Sequence, residues 1–127
     1  MFDIRMPHGG DPPQHGAVEL AHHAPGLAVV TMRGEHDLST APELMQALEQ
    51  AAARSDVVVD LSACSFIDAT VIGALVKTAR GVLARGDQFV LVIPPEQRQV
   101  ARVAQMTHLA EMFPIHPARG AALTSIR

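Results

Sequence analysis

The sequence predicts one α/β domain, a mostly parallel (mixed) sheet of four to five strands packed with about four helices. Two observations lead there. The runs DVVVDLS and QFVLVI are continuously apolar and rich in β-branched residues, the pattern of strands buried on both faces. Longer amphipathic stretches alternate with such runs, and strand, helix, strand, helix, strand, helix in that order implies parallel strands with helices packed against them.

The elements follow in order. Residues 1–17 hold Pro7, Gly9, Gly10, Pro12 and Pro13 among few apolar residues and are expected to form a loose N-terminal arm. AVELAHH reads as an edge strand, and GLAVVTMRG as a stronger one closed by Gly34. STAPELMQALEQAAAR is a helix. Thr40 and Glu43 have capping-box spacing, Pro42 sits where its missing N–H costs little, and Leu44, Met45, Leu48 and Ala52 make an apolar stripe. DVVVDLS is the next strand, with Asp60 near its end. ATVIGALVKTARGVLARG is a helix with Val71, Leu75, Thr78 or Ala79, and Val82 inward and Gly86 as its stop. QFVLVI ends at Pro94 and Pro95. PEQRQVARVAQMTHLAEM is helical with Val100, Val103 and Ala104 inward, FPIH is a short last strand, and residues 118–127 form a C-terminal helix or tail. The folded body is thus expected over residues 18–117.

Composition excludes several classes of function. Aromatic residues are 3% of the chain, with no Trp or Tyr, so the core must come from Val, Leu, Ile, Ala and Met, and few rings remain for stacking on bases. A net charge of -3 provides no basic footprint for a phosphate backbone, so no nucleic-acid partner is expected. Cys64 is the one cysteine, which rules out an intramolecular disulfide and favours a reducing compartment. No signal-peptide pattern and no membrane-length apolar run occur, so a cytoplasmic protein away from the membrane is expected. The seven histidines show no ligand spacing and read as scattered surface residues, so no metal and no cofactor are expected. Neither a phosphate-cradling glycine loop nor a nucleophile elbow nor a dinucleotide fingerprint occurs, and a receiver domain would need an early acidic pair that is missing. No catalysis and no small-molecule substrate are expected.

In parallel α/β folds, sites form where strands end and helices begin. Two such junctions pair acids with hydroxyls: Glu35, Asp37, Ser39 and Thr40 in one, and Ser62, Ser65, Asp68 and Thr70 in the other. With Asp68 as N-cap, Thr70 falls at the second helical position, near the positive end of the helix dipole. Spacing alone is satisfied by capping. The second reading is a hydroxyl displayed for modification, since a phosphate there would sit at a helix end that favours negative charge.

The segments GEHDLSTAPEL and DLSACSFIDATVIGAL, with the later FVLVIPPEQRQVARVAQMTHLAEMFPIHP, resemble the STAS family of anti-sigma factor antagonists and their relatives. The family pattern is GELDL with TAPEL, then DLS…FIDSSGLGAL, and the resemblance covers about residues 18–117. It implies a protein that binds an anti-sigma factor and so frees a sigma factor. It implies a serine/threonine kinase, often the anti-sigma factor itself, that phosphorylates the second hydroxyl of the DSSG segment and ends binding, and a phosphatase that restores it. That acceptor falls on Thr70, with the neighbouring acid on Asp68 and the acid of the first motif on Asp37. Partner contacts are expected at Asp37, Ser39, Asp68, Ala69, Thr70, Val71 and Gly73. Here Ala69, Thr70 and Val71 stand where the pattern has Ser, Ser and Gly; His36 stands for Leu, adding a titratable group near the interface, and His108 for a Gly at a helix end. The same resemblance also implies an alternative, a scaffold module without phosphorylation in a stress-sensing or lipid-transport assembly.

Overall fold

The β-branched runs form the sheet and the amphipathic stretches cover it. The computed structural model describes residues 16–53 and 55–126, so most of the expected N-terminal arm, residues 1–15 with His8 and His15, lies outside the described residues. The strands are β1 (Ala17–Ala24), β2 (Leu27–His36), β3 (Asp56–Ile67), β4 (Phe89–Val92) and β5 (Ile115–His116). The helices are α1 (Ala41–Ala52), α2 (Ala69–Ala84), α3 (Arg98–Met106) and α4 (Arg119–Ser125), with 3-10 turns at Leu38–Thr40 and Leu109–Glu111. The five strands lie in sequence order, β1-β2-β3-β4-β5. Only the β1–β2 pair is antiparallel, turned by Pro25 and by Gly26 at φ +78, a backbone conformation glycine adopts without strain.

That strand order decides where the helices go. Each step from β2 to β5 moves one strand in the same direction, and right-handed crossovers then place the connecting helices on one face. Leu44 and Leu48 of α1, Val71, Leu75, Ala79 and Val82 of α2, and Val100 and Ala104 of α3 accordingly share a buried cluster with Val30, Met32, Val57, Val59, Phe89 and Leu91. Phe89 meets Phe113 edge-on, ring centroids 4.9 Å apart. The opposite face is covered by α4, whose Ala122 and Leu123, with Ile126 just after it, pack on Leu27, Val29, Val58, Val90 and Val92.

Several expectations need correction. β1 begins at Ala17, inside the stretch read as arm. β3 does not stop near Ser62 but runs to Ile67, which leaves Asp60 in mid-strand. The Thr40–Glu43 capping box is absent; the box formed is Asp37 with Thr40, closing the 3-10 turn ahead of α1, because Thr40 turns its hydroxyl back toward Asp37. In the α1 stripe Ala51 is buried where Ala52 was expected, and α3 ends at Met106 rather than continuing through Met112. His108 follows it at φ 57, a left-handed conformation that glycine adopts more readily.

Asp60 is held in mid-sheet by a complete set of partners. Its Oδ1 accepts from the Ser62 amide at 2.9 Å and from the Ser62 hydroxyl at 2.6 Å. Its Oδ2 accepts from Arg119 Nη1 at 3.2 Å, and the same nitrogen lies 3.4 Å from Thr31 Oγ1. The Asp60 side chain is 6% exposed and that of Arg119 42% exposed, so the pair is a half-open ion pair that clips α4 to the sheet. Arg119→Ala should lower stability by about 1–2 kcal/mol, less than loss of a fully buried partner costs. Asp60→Ala added to Arg119→Ala should cost less than Asp60→Ala alone, a coupling that urea denaturation of the four proteins measures.

Candidate functional site

The two acid-and-hydroxyl junctions leave the sheet side by side. β2 and β3 are parallel neighbours, and their last paired residues are His36 and Ile67. Twice along this pair β3 inserts one residue more than β2: Asp60 to Ala63 runs against Thr31 to Arg33, and Cys64 to Phe66 against Gly34 to Glu35. The buried positions Leu61, Cys64 and Ile67 therefore recur every three residues rather than every two.

Beyond Asp60, no strand among the described residues pairs with β3 on its other side, because β4 pairs only as far as Val92. Two glutamines at the entry to α3 replace that strand. Gln97 Nε2 donates to the Ser62 carbonyl at 2.8 Å. The Gln99 amide acts as a stand-in peptide, accepting from the Ile67 N–H at 2.9 Å and donating to the Ile67 carbonyl at 2.8 Å. The site thus hangs from backbone held by β2 along one side and by these amides at Ser62 and Ile67 on the other. Sequence reading passed over both glutamines; the available signal was two amide side chains following a strand too short to accompany β3.

Asp68 ends the strand and caps α2. It has extended backbone, and its Oδ1 accepts from the Val71 amide at 3.1 Å. Ala69 and Thr70 are exposed in the first turn, Asp68 is half-buried, and Gly73 is exposed with open space where a Cβ would stand. Val71 is fully buried and lies in the core beneath that surface. The other junction is a tight knot. Asp37 Oδ1 accepts from the Ser39 amide at 2.9 Å and its hydroxyl at 2.6 Å. Thr40 Oγ1 accepts from the Asp37 amide at 3.2 Å and donates to the Asp37 carbonyl at 3.1 Å.

His36 lies beneath this knot, fully buried, which corrects the expectation that the histidines are surface residues. The polar ring tolerates burial because every nitrogen has a partner. Nε2 donates to the carbonyls of Arg33 at 3.0 Å and Ala17 at 3.2 Å, which leaves Nδ1 as the acceptor facing Thr40 Oγ1 at 3.0 Å, so the one Thr40 hydroxyl proton is shared between Nδ1 and the Asp37 carbonyl. Gly16 lies flat against the ring: a Cβ there would come within 2.5 Å of both His36 Cε1 and the Glu35 carbonyl. The start of β1 is thereby tied to the Asp37 loop.

Two apolar side chains that sequence reading did not single out stand beside these loops, Leu38 and Phe66. Residues 34–50 and 61–76 contain no Lys or Arg, while Glu35, Asp37, Glu43, Glu49 and Asp68 fall within them. Among the described residues no group of three or more His, Cys, Asp or Glu is placed to hold a metal ion, and no helix is long and apolar enough to cross a membrane. Cys64 is buried under the site, where loss of water raises its thiol pKa from 9.0 to about 11, and its thiol donates to the Phe66 carbonyl at 3.5 Å.

Two measurements test this architecture. Gln99→Ala leaves the Ile67 amide and carbonyl without partners and should cost about 1–3 kcal/mol, with faster hydrogen exchange at Ile67 than at core amides such as Val58. Cys64 keeps its proton in the folded state to higher pH than in the unfolded chain. Its contribution, about 2–3 kcal/mol for a shift of this size, is complete below pH 9 and is lost as pH climbs from there toward about 11. Cys64→Ala should flatten the fall in stability over that range.

The family model for the STAS domain matches residues 20–122. Among solved structures, an anti-sigma factor antagonist from Mycobacterium paratuberculosis superposes with a TM-score of 0.81 and 30% identity, covering 91% of this chain and 97% of that one. An anti-sigma-factor antagonist (STAS) domain protein from Planctomyces limnophilus gives a TM-score of 0.72 at 19% identity over 85% of this chain and 96% of that one. The Bacillus cell fate determinant SpoIIAA in its phosphorylated form gives 0.70 at 18% identity over 87% of this chain and all of that one, a likeness of fold. With its five-stranded mixed sheet, four helices and this match along most of its length, the chain belongs to the STAS domain family.

Proposed function

We propose that this protein is an anti-sigma factor antagonist whose binding is switched off by phosphorylation of Thr70. One observation carries the reading: Thr70 is exposed in the first turn of α2, directly after the capping Asp68 and beside the Asp37 loop at the end of the adjacent strand. Similarity to the Mycobacterium paratuberculosis antagonist at 30% identity over nearly the whole chain supports it. The partner is an anti-sigma factor, itself the serine/threonine kinase or acting with one, and a phosphatase reverses the modification. The surface that meets the partner is made of Asp37, Ser39, Asp68, Ala69, Thr70 and Gly73, with Val71 holding it from below. The exchange takes place in the cytoplasm, without nucleic acid or membrane.

The chemistry of the switch follows from the helix terminus. A phosphothreonine brings roughly -1.5 to -2 charges to a helix N-terminus, which accepts them, so the fold persists. The partner's side of the contact bears the cost, because a phosphate enclosed without a compensating cation is penalised by several kcal/mol. Thr70→Glu should therefore weaken anti-sigma factor binding by more than about tenfold, a difference of roughly 1.4 kcal/mol, while Thr70→Ala stays close to wild type. Incubation with the kinase and ATP should place a single phosphate on Thr70 by mass spectrometry. Equal binding by Thr70→Glu and wild type would sink the switch. Binding that persists with Thr70 unmodified under every kinase tried would favour the scaffold module instead.

A further inference from the structure

Leu38 is 70% exposed and Phe66 38% exposed, two large apolar side chains open to solvent. The other exposed large hydrophobics among the described residues, Leu83 and Met106, lie at the C-terminal ends of α2 and α3, away from the junctions. Leu38 and Phe66 both belong to the end of the sheet where β2 and β3 stop. We propose that they are the apolar anchors of the partner interface, fitting a protein surface with an apolar pocket rimmed by Lys or Arg. This rests on the reading of Thr70 as the switch, and it specifies the partner's chemistry at that site.

Both anchors are held out by rigid backbone. Leu38 opens a 3-10 turn fixed on one side by the Asp37 cap and on the other by Thr40, whose hydroxyl is tied to buried His36. Phe66 follows the extra residue that β3 inserts after Cys64, with buried Cys64 and Ile67 on either side of it and Gln99 clamping Ile67. An insertion of this kind re-aims the side chain next to it. A fixed backbone reduces the conformational entropy lost when such side chains are buried on binding.

Charge identifies the occupant. Phe66 pairs across the strands with Glu35, Glu43 is exposed in the first turn of α1, and no Lys or Arg occurs in residues 34–50 or 61–76. A second copy of this chain would set acid against acid, whereas a partner with basic residues around an apolar pocket gains on both counts. The anchors also explain how the switch would work. A phosphate enclosed in an interface that also buries apolar side chains loses its hydration.

The experiment uses the full chain and the kinase-fold anti-sigma factors of its own genome, each purified and titrated by calorimetry. Leu38→Ser and Phe66→Thr, both at exposed positions, should keep wild-type melting temperatures and weaken binding at least about tenfold. Met106→Ser should leave it within about twofold, and affinity for the wild type should fall with added salt. Should either variant unfold, Leu38→Gln and Phe66→Tyr replace them, with the same loss of affinity expected at reduced size. If Leu38→Ser and Phe66→Thr bind like wild type while Thr70→Glu does not, the anchors are wrong and the switch stands. If they lose binding while Thr70→Glu keeps it, the anchors stand and the switch is wrong. Wild type binding none of these factors overturns both. Self-association in sedimentation that Leu38→Ser abolishes also overturns the inference, by assigning the patch to a homodimer.

Discussion

The parallel pairing of β2 with β3 is the constraint on which the rest of the site depends. Because the two strands end together at His36 and Ile67, the loops that follow them are neighbours, although 31 positions separate the paired residues (67 - 36). Parallel neighbours need a crossover, so α1 must lie between them in the chain and can supply only the covering layer. β3 reaches this point by outrunning β4, which would leave a bare strand edge. Gln97 and Gln99 satisfy part of that edge with side-chain amides. Side chains serve where a strand could not, because a longer β4 would carry the chain past the helix entry that Pro94 and Pro95 impose.

The two loops are then stiffened by different means. At Asp68 the helix itself does the work, through one carboxylate on the Val71 amide and Val71 buried below. At Asp37 the turn is too short for helical capping to suffice, and the hydroxyl of Thr40 and the ring of His36 knit it to the sheet. The imidazole reaches in two directions at once, to the Asp37 loop through Nδ1 and to β1 through Nε2. A leucine in its place would fill the volume and leave the carbonyls of Ala17 and Arg33 to find other donors. The histidine therefore makes the outermost strand part of the site's support.

How far these features could be read beforehand depended on their range in sequence. The helices and buried strands were legible because hydrophobic period is local: Val57 to Val59 and Phe89 to Val92 declare themselves in a few letters. The Asp68 cap and the position of Thr70 in the first turn were legible for the same reason. The Thr40–Glu43 spacing misled, since a capping box has the same letters whether Thr40 faces forward to α1 or backward to Asp37, and buried His36 decides for the second. The end of β3 was missed because the segment Ser62–Phe66 has polar and small residues, and its strand conformation comes from pairing with β2. The role of Gln99 depends on a partner 32 residues away and has no local pattern at all.

The arrangement favours regulation at the surface over regulation by refolding. A conformational switch at the start of α2 would have to move Val71 out of the core or release Ile67 from Gln99, each costing a few kcal/mol before any gain. The helix terminus favours added negative charge, which counters the repulsion from neighbouring Asp68. An added phosphate would therefore leave the domain as it is and change what lies above it. Thr70 suits that arrangement despite its branched side chain, because a stiff acceptor on a fixed turn presents its hydroxyl in a narrow range of directions. The residue after it, where glycine would leave the turn freer, instead contributes a buried isopropyl group that holds the first turn down. Rigidity beneath and exposure above would make the same helix start able to bind in one state and repel in the other.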